Sequence, residues 1–434
     1  MAFWETCRLL APAERLRMND LRPRHNRPGR PATLARHGRL RPFGTWRTIA
    51  KVVVATLAVA LVSGTSVAAI ATWDVASSGH KSVALVDKHG NTIVPQVGAM
   101  DGAFNVLLAG SDSGGGNAAY GERGESLNDV TMLLHVSKDH KNATVVSFPR
   151  DMFVAIPSCP DPTGGSFSSM TSQKINTTLT YGGLPCTVLT VEKLTGMTIP
   201  YAAVIEFDGV IEMSNAIGGV PVCVAGAITD PYTGLDLSAG QHTLKGADAL
   251  AFLRTRHGVG DGSDLGRISN QQVFLSTLMR TIKSADTLAN PGKVYGLAKA
   301  AVSNMTFSNG FKSVPTLASM AMALKNISLD KIVFAQYPTN YVAGGVAADQ
   351  ASATQLFDAL ASDTPIALTG TTGLGSEADP NAPASSTAAP APSASSSTEP
   401  TSPGSSAAPT DVALSNNVHG QTASQYTCSK PFQG

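Results

Sequence analysis

The chain has 434 residues and a formal net charge of +1, and only 15% of its residues are charged. The first 51 residues hold twelve basic and three acidic side chains, whereas the rest of the chain holds 20 basic and 28 acidic ones. An acidic main body argues against a nucleic-acid-binding protein, which would need a broad basic surface.

The N-terminal part of the sequence predicts a membrane anchor. Residues 1–48 are rich in Arg and Pro, which is typical of a disordered tail. The segment Val52–Trp73 has no charged residue, and a helix of this length crosses a hydrocarbon core of about 30 Å. Basic residues precede it, so we expect one transmembrane helix over 49–73, with the N-terminus cytoplasmic and the main body outside. The alternative, a cleaved signal peptide, would need an n-region of about 50 residues.

Four cysteines follow the predicted anchor: Cys159, Cys186, Cys223 and Cys428. Cysteines that face an oxidising exterior form disulfides, and sequence alone does not choose among the three pairings. Because Cys159 and Cys186 flank a polar, Gly/Ser-rich loop, we favour a disulfide between them. None of the spacings is typical of a zinc site.

After a lead-in over 74–100, apolar runs and turn residues alternate in the manner of strands and helices. The predicted strands are Asn105–Ala109, Thr131–Val136, Thr144–Phe148, Tyr201–Phe207, Val220–Val224 and Lys331–Gln336. The predicted helices are Thr187–Leu194, Asp208–Ile217 with Asp208 as its N-cap, Gly246–Arg254, Ser269–Lys283, Phe311–Leu324 and Ala351–Ala361. This alternation predicts an α/β fold over 101–365, an α/β/α sandwich with helices on both faces of a central mixed sheet.

The composition changes again near residue 370. Residues 370–410 consist almost entirely of Ala, Ser, Pro, Thr and Gly, which predicts a disordered linker or tail. Residues 411–434 are too short to form a core of their own. This last segment either docks onto the domain through Cys428 or stays loose.

Charged residues cluster in the stretch Phe252–Gln272, FLRTRHGVGDGSDLGRISNQQ, around a Gly-rich turn. Its arginines are Arg254, Arg256 and Arg267, and its acids are Asp261 and Asp264. Guanidinium groups bind phosphate oxygens in pairs, so this stretch predicts a site for phosphate or pyrophosphate. The carboxylates beside them indicate a metal or an acid/base role.

Further charged residues follow or open predicted strands near the start of the domain. Asp112 follows the first strand, Asp129 opens the next, and Arg150 and Asp151 follow the third. Functional residues of α/β folds gather at such strand ends. Taken singly, Asp112 also fits a turn cap, and Arg150 with Asp151 also fits a surface ion pair.

Seven segments, in this order and spacing, resemble the LytR-CpsA-Psr family over residues 101–285, and more weakly to about 365. They are AGSDS, NDVTMLLHV, SFPRDMFVAIP, KINTTLTYGG, the stretch from VEKLTG to AIGGVPVCV, LSAGQHTLKGADALAFLRTRH and DLGRISNQQ. The resemblance implies a Mg²⁺-dependent phosphotransferase, with Mn²⁺ as an alternative cation. Such an enzyme moves a glycopolymer from a polyprenyl-pyrophosphate carrier to the 6-hydroxyl of N-acetylmuramic acid in peptidoglycan. The resemblance also implies an apolar pocket for the lipid, for which the apolar faces of Tyr201–Phe207, Val210–Met213, Phe274–Met279 and the later helices are candidates.

The resemblance assigns roles to individual residues. Asp112 and Asp129 match the family's metal ligands, and Asp151 and Asp112 are the two candidates for the base that deprotonates the sugar hydroxyl. The pyrophosphate contacts fall on four arginines and a glutamine, with one aspartate in support: Arg150, Arg254, Arg256, Arg267 and Gln271, with Asp264 orienting Arg267 or a metal-bound water.

The chain also departs from the family pattern. Asn128 and Val130 stand where many members have Ser and Thr, and Asn270 stands where many have Arg. Some members carry a basic residue just after the Arg-Asp pair, where this chain has residues 152–154, Met-Phe-Val.

Three other functions use the same features differently. A polyprenyl-pyrophosphate phosphatase would use the same arginines and metal, with water in place of the sugar. An envelope-linked transcriptional attenuator would use the basic cytoplasmic tail, although Pro23, Pro28 and Pro31 interrupt any helix-turn-helix pattern. A wall-binding module would not need the aspartates.

Overall fold

The computed structural model describes residues 81–93, 100–113, 126–311, 313–383 and 411–433. The predicted tail over 1–48 and the predicted membrane helix over 49–73 lie outside the described residues. Within the described ranges, no helix combines the length and the apolar character needed to cross a membrane. All described residues belong to one compact unit.

The described strands are numbered in chain order. They are β1 Ser82–Val83, β2 Phe104–Ser111, β3 Asn128–Val136, β4 Ala143–Phe148, β5 Met152–Ile156, β6 Cys159–Pro160, β7 Ser166–Phe167, β8 Met170–Lys174, β9 Tyr201–Ile205, β10 Val220–Val224, β11 Ile228–Asp230, β12 Leu235–Leu237, β13 Gly240–Leu244, β14 Met305–Ser308, β15 Ile332–Gln336, β16 Thr339–Val342, β17 Gly345–Ala348, β18 Ile366–Ala367, β19 Ser376–Ala378, β20 Val412–Ala413, β21 Gly420–Thr422 and β22 Thr427–Ser429.

The α-helices of the described part are α1 Gly183–Thr195, α2 Phe207–Ala216, α3 Ala247–Arg254, α4 Asp264–Lys283, α5 Ala285–Leu288, α6 Pro291–Ser303, α7 Val314–Asn326 and α8 Gln350–Ala361. Short 3-10 helices span Ile175–Leu179 and Leu329–Lys331.

The central sheet has the strand order β1-β14-β9-β2-β3-β4-β15-β21. It is mixed, because β2 runs antiparallel to β3 and parallel to β9, while β4 runs parallel to β15. Consequently, the carboxyl ends of β2 and β4 and the start of β3 lie at one edge of the sheet. This edge carries Asp112, Asp129 and Arg150.

Helices pack against both faces of this sheet. Side chains alternate along a strand, and in β2 the apolar residues occur on both faces. On β2, Leu107 and Ala109 enter a core cluster shared with α1 and α8, whereas Phe104 and Val106 enter a second cluster shared with α4 and α7. The prediction of an α/β fold with a central mixed sheet is therefore confirmed.

Two predicted boundaries near the charged stretch are wrong. The strand predicted over Tyr201–Phe207 ends at Ile205, and α2 begins at Phe207, so Asp208 lies in its first turn and is not its N-cap. Helix α4 begins at Asp264, well before the predicted start at Ser269. Apolar periodicity missed this first turn because only Leu265 and Ile268 are apolar among residues 264–268.

The start of α4 is fixed by capping. The Ser263 side chain accepts a hydrogen bond from the Gly266 backbone N–H, as an N-cap residue does. Asp264 in the first turn also complements the positive end of the helix dipole. Arg267 therefore projects from a helix and not from the flexible turn that the sequence pattern indicated.

Residues 411–433 dock onto the domain. β21 pairs with β15 at one end of the central sheet, and β22 pairs with β10 and β19 in a second sheet. Cys428 forms a disulfide with Cys223. The predicted disulfide between Cys159 and Cys186 is confirmed.

The linker predicted over 370–410 starts too early, because Ser376–Ala378 within it forms β19. The composition of the predicted linker is low in bulky apolar residues, but the backbone of β19 pairs with β22. Composition could not reveal a strand that is held mainly by its neighbour.

Candidate active site

Asp112 is held where β2 ends beside the start of β3. Its backbone N–H donates to the Leu127 carbonyl at 3.1 Å, and its Oδ1 accepts from the Leu127 N–H at 2.8 Å. The register of β2 against β3 shifts by one residue just before Asp112, between Gly110 and Ser111. The carboxylate is buried and oriented by the neighbouring chain.

Four charged residues form what we call the inner cluster: Asp129, Arg150, Asp264 and Arg267. Arg150 Nη1 donates to Asp129 Oδ1, and the Arg150 backbone N–H donates to Asp264 Oδ2 at 2.7 Å. Arg267 Nη2 lies 2.6 Å from Asp264 Oδ1 and donates to the Asp129 carbonyl at 2.7 Å. Arg267 is only 3% exposed. Charges from β3, the β4 end and α4 thus form one connected network.

A second group, the outer cluster, consists of Asp151, Lys174 and Arg256. Lys174 Nζ lies 3.0 Å from Asp151 Oδ1, and Arg256 Nη2 lies 3.6 Å from Asp151 Oδ2. Arg150 joins the two clusters, because its Nε is 3.7 Å from Asp151 Oδ2. The predicted residues Arg150, Asp151 and Arg256 are thus brought together.

Sequence reasoning missed Lys174. It ends β8 within the motif KINTTLTYGG, so its position in a matched motif was an available signal. Strand β8 pairs with β5 so that Lys174 stands opposite Phe153, two residues after Asp151. Strand pairing therefore brings Lys174 to the carboxylate.

The cations around Asp151 affect its proton affinity. Burial by itself would raise the pKa of this carboxyl, but the hydrogen bond from Lys174 and the charges of Arg150 and Arg256 outweigh it and hold the pKa below its ordinary value. Burial likewise works against the charge of Arg150, yet Asp129, Asp151 and Asp264 raise the pKa of its guanidinium. A carboxylate with a lowered pKa is a weak base, which argues against Asp151 as the base.

The backbone of Arg256 is fixed by Asp230, another residue that sequence reasoning missed. Asp230 Oδ2 accepts from Thr255 Oγ1 at 2.6 Å and from the Arg256 N–H at 3.2 Å. Asp230 is fully buried at the end of β11. An acid at a strand end was a weak signal, because turn residues share it.

An apolar cavity of about 190 Å³ opens beside the inner cluster. It lies between α2, α3, α4 and the strands β2 and β3, and its apolar lining includes Leu108, Met132, Ile205, Phe207, Val210, Met213, Leu250, Leu253, Phe274, Leu275 and Leu278. Polar lining comes from residues that include Asp129, Arg254, Arg267 and Gln271. Three of the segments named as candidates for a lipid pocket, Tyr201–Phe207, Val210–Met213 and Phe274–Met279, therefore contribute to one cavity, and the later helices of the described part do not line it.

Besides Asp129 and Arg267, two further residues of this polar lining have defined partners. The Arg254 guanidinium lies over the Phe207 ring, 4.4 Å from its centroid, a favourable cation–π geometry. Gln271 Nε2 donates to the Leu253 carbonyl at 2.9 Å and so ties α4 to α3.

Two other polar residues of the charged stretch serve the local structure. Asn270 Nδ2 donates to the Phe252 carbonyl at 2.8 Å, and its Oδ1 accepts from Ser429 of β22. Asp261 Oδ1 accepts from Ser263 Oγ at 2.5 Å, and its Oδ2 accepts from the Tyr341 hydroxyl at 3.0 Å. Asn270 thus helps to hold the C-terminal segment against α4, and its side chain is engaged there and not in a phosphate contact.

The predicted metal ligands offer suitable donors for a hard cation. Asp112 and Asp129 are carboxylates, and the Oδ1 of the buried Asn128, which precedes Asp129 in the chain, has no hydrogen-bond partner among the described residues. Oxygen donors of this kind suit Mg²⁺ or Mn²⁺. In the described ranges, the one group of three His, Cys, Asp or Glu ligand atoms that lie close together is Cys223, Asp379 and Cys428, and its sulfurs are joined in a disulfide.

Comparison with known proteins agrees with the family resemblance of the sequence motifs. The LytR_cpsA_psr family model matches residues 66–362 of the chain. The chain is 30% identical over 317 residues to the cell wall biosynthesis protein LcpA of Corynebacterium glutamicum, which covers 66% of this chain and 58% of LcpA. It is 29% identical over 231 residues to TagT of Bacillus subtilis, a polyisoprenyl-teichoic acid–peptidoglycan teichoic acid transferase. That match covers 50% of this chain and 67% of TagT.

Among solved structures, protein gbs0355 from Streptococcus agalactiae has a similar fold. The TM-score is 0.50 at 20% identity, over 60% of this chain and 88% of that one. The chain spans about three fifths of the length of the LcpA and LcpB relatives, 58% and 60% respectively.

Proposed function

Because the chain belongs to the LytR-CpsA-Psr family, we propose that it is a cell-envelope phosphotransferase acting on a polyprenyl-pyrophosphate-linked glycopolymer. The acceptor is the 6-hydroxyl of N-acetylmuramic acid in peptidoglycan, and the product is a phosphodiester. We place the enzyme at the cell membrane, anchored by the predicted helix over 49–73, with the described domain outside and membrane lipid beside it. No nucleic-acid partner is part of this proposal.

The cavity beside the inner cluster is the observation that carries the proposal. Its walls are apolar and its polar lining includes two arginines, Arg254 and Arg267. A polyprenyl pyrophosphate has the same division, an apolar chain that ends in an anionic head. Each methylene buried in such a cavity contributes about 0.8 kcal/mol, and paired arginines favour the phosphate oxygens.

The transfer itself needs positioning and charge neutralisation more than covalent help. The hydroxyl oxygen forms a bond to the phosphorus that carries the glycan, the bridging P–O bond breaks, and polyprenyl phosphate leaves. In our proposal, Arg150, Arg254, Arg256 and Arg267 hold the pyrophosphate oxygens and stabilise the charge that develops on them. Gln271 would support the same contacts from α4.

We propose that Asp112 and Asp129 bind Mg²⁺ or Mn²⁺. When bound, the cation supplies positive charge to the phosphate oxygens. Asp129 can serve both Arg150 and a cation, because a carboxylate accepts on two oxygens. The hydroxyl proton passes to a carboxylate, for which Asp112 and Asp151 are the candidates.

The test uses the full-length protein in proteoliposomes, a polyprenyl-pyrophosphate-linked glycan as donor and uncross-linked glycan strands as acceptor. We expect ligated glycan and free polyprenyl phosphate, and Asp129→Asn should slow ligation roughly 10²–10³-fold, as loss of one charge-stabilising group does. Met322→Ala, an exposed site on α7 away from the cavity, is the control. Release of glycan phosphate without ligation would favour a phosphatase, and unchanged ligation in Asp129→Asn would exclude the proposed role of that residue.

A further inference from the structure

Three kinds of surface follow one another across the site. The apolar cavity borders the inner cluster through Asp129 and Arg267. The inner cluster meets the outer cluster through Arg150. Beyond Arg256, aromatic side chains stand at both ends of the loop 255–263, and neither the fold nor the phosphate contacts account for their exposed rings.

The first of these aromatic residues is Tyr232, in the turn between β11 and β12. It is 78% exposed, yet its ring packs on the His257 ring with centroids 4.5 Å apart. His257 directly follows Arg256, whose guanidinium faces Asp151. The stacked pair is therefore fixed next to the outer cluster.

The second is Tyr341, on β16. It is 62% exposed, and its hydroxyl donates to Asp261 Oδ2 at 3.0 Å, at the far end of the same loop. This hydrogen bond engages the edge of the ring and leaves much of its surface open. The hydroxyl of the ring is thus anchored to the loop that carries Arg256.

The hairpin that carries Tyr341 is itself attached to the outer cluster. β17 pairs with β5, and the Val346 N–H donates to the Asp151 carbonyl at 3.2 Å. A Cβ atom at Gly345 would lie 2.2 Å from the Asp151 carbonyl oxygen, so only glycine permits this approach. The backbone thus holds Tyr341 at a fixed position relative to Asp151.

We propose that Tyr232, His257 and Tyr341 form a saccharide subsite, here called the aromatic rim. The inference rests on the proposed function. It adds a third surface to the site, so that the apolar cavity is followed by the cationic clusters and then by the aromatic rim. A lipid-linked glycan has the same order of apolar chain, pyrophosphate and sugar. The C–H face of a sugar ring packs on an aromatic ring, while the ring hydroxyls remain available to polar groups at its edge.

The same chemistry is present in two substrates, the first sugars of the donor and the acceptor strand. Both would be tested with full-length Tyr232→Ala/Tyr341→Ala in proteoliposomes, with Met322→Ala as the exposed control. Binding of bare polyprenyl pyrophosphate should stay within about twofold of wild type. If the rim binds the donor, the Kd for the glycan-bearing lipid rises about tenfold. If the rim binds the acceptor, that Kd is unchanged and the KM for glycan strands rises about tenfold.

The Tyr341→Phe variant separates stacking from a structural role. It keeps the ring and removes the hydrogen bond to Asp261, so a stacking role predicts binding close to wild type. Losses of saccharide binding as large as those of the double variant would assign Tyr341 to loop positioning and overturn the proposal. So would a double variant in which neither saccharide constant changes beyond the Met322→Ala control. The lipid-binding measurement needs no turnover, so failure of the proposed transfer would be seen separately as absence of ligation by the wild type.

Discussion

The inner and outer clusters differ in burial and in charge balance. The inner cluster sets two arginines against two aspartates. The side chains of Asp264 and Arg267 are 6% and 4% exposed, and those of Asp129 and Arg150 are 18% and 24% exposed. The outer cluster sets Lys174 and Arg256 against one aspartate, with side chains between 19% and 33% exposed. The balanced network, with its buried Asp264–Arg267 pair, is suited to fixing geometry, and the less buried outer cluster leaves positive charge for an anion.

The largest expected effect is on the inner cluster. Arg267→Met should lower the free energy of unfolding by about 3–5 kcal/mol, because Asp264 would be left as a buried, unpaired charge. Urea unfolding followed by circular dichroism measures it. The double variant Asp264→Asn/Arg267→Met should regain part of the loss, since it leaves no charge behind. A loss below about 1 kcal/mol in the single variant would show that burial does not distinguish the clusters.

A smaller effect, on activity and not on folding, is expected in the outer cluster. Lys174→Met should change the free energy of unfolding by less than about 1 kcal/mol, because an ion pair that solvent can reach contributes little. Ligation should nevertheless slow about tenfold, through loss of positive charge near the pyrophosphate. Lys174→Arg is the matched variant and should restore much of the rate. Equal rates for Lys174→Met and wild type would remove Lys174 from the site.

The smallest effect concerns pH. The pKa of Asp151 is lower in the fold than its ordinary value of 3.8, against the effect of burial and because of Lys174, Arg150 and Arg256. Its contribution to stability is therefore fully present above that ordinary value and is lost as pH falls through the folded pKa. Asp151→Asn should be slightly less stable than wild type at pH 7, and the difference should shrink as pH falls below 3.8 and vanish below the folded pKa. A difference that does not shrink as pH falls through this range would contradict the assignment.

Part of this site was predictable because several of its residues stand at strand ends that the local sequence pattern reveals. Asp112, Asp129 and Arg150 each stand next to a strand whose apolar pattern is clear, and strand ends in one sheet meet at one edge. Lys174 was not predictable by the same reasoning, because only the pairing of β8 with β5 brings it opposite the segment after Asp151. The same limit applies to the contact between Arg150 and Asp264, which are 114 residues apart in the chain.

Asn270 shows how the tertiary structure changes the meaning of a residue. By sequence it is a departure from the family, a missing arginine. In the fold it is buried and accepts a hydrogen bond from Ser429, so it helps to hold the C-terminal segment. The Cys223–Cys428 disulfide joins the same segment to β10 across a separation of 205 residues.

The sequence by itself determined the alternation of strands and helices and the charged stretch, and it favoured the local Cys159–Cys186 disulfide, because periodicity and short loops are local properties. Only the tertiary structure decided which charges are buried together, which cavity they border and where the last residues dock. These depend on pairing and packing between distant segments, whose free energies are summed over many contacts and leave little trace in any one stretch of sequence.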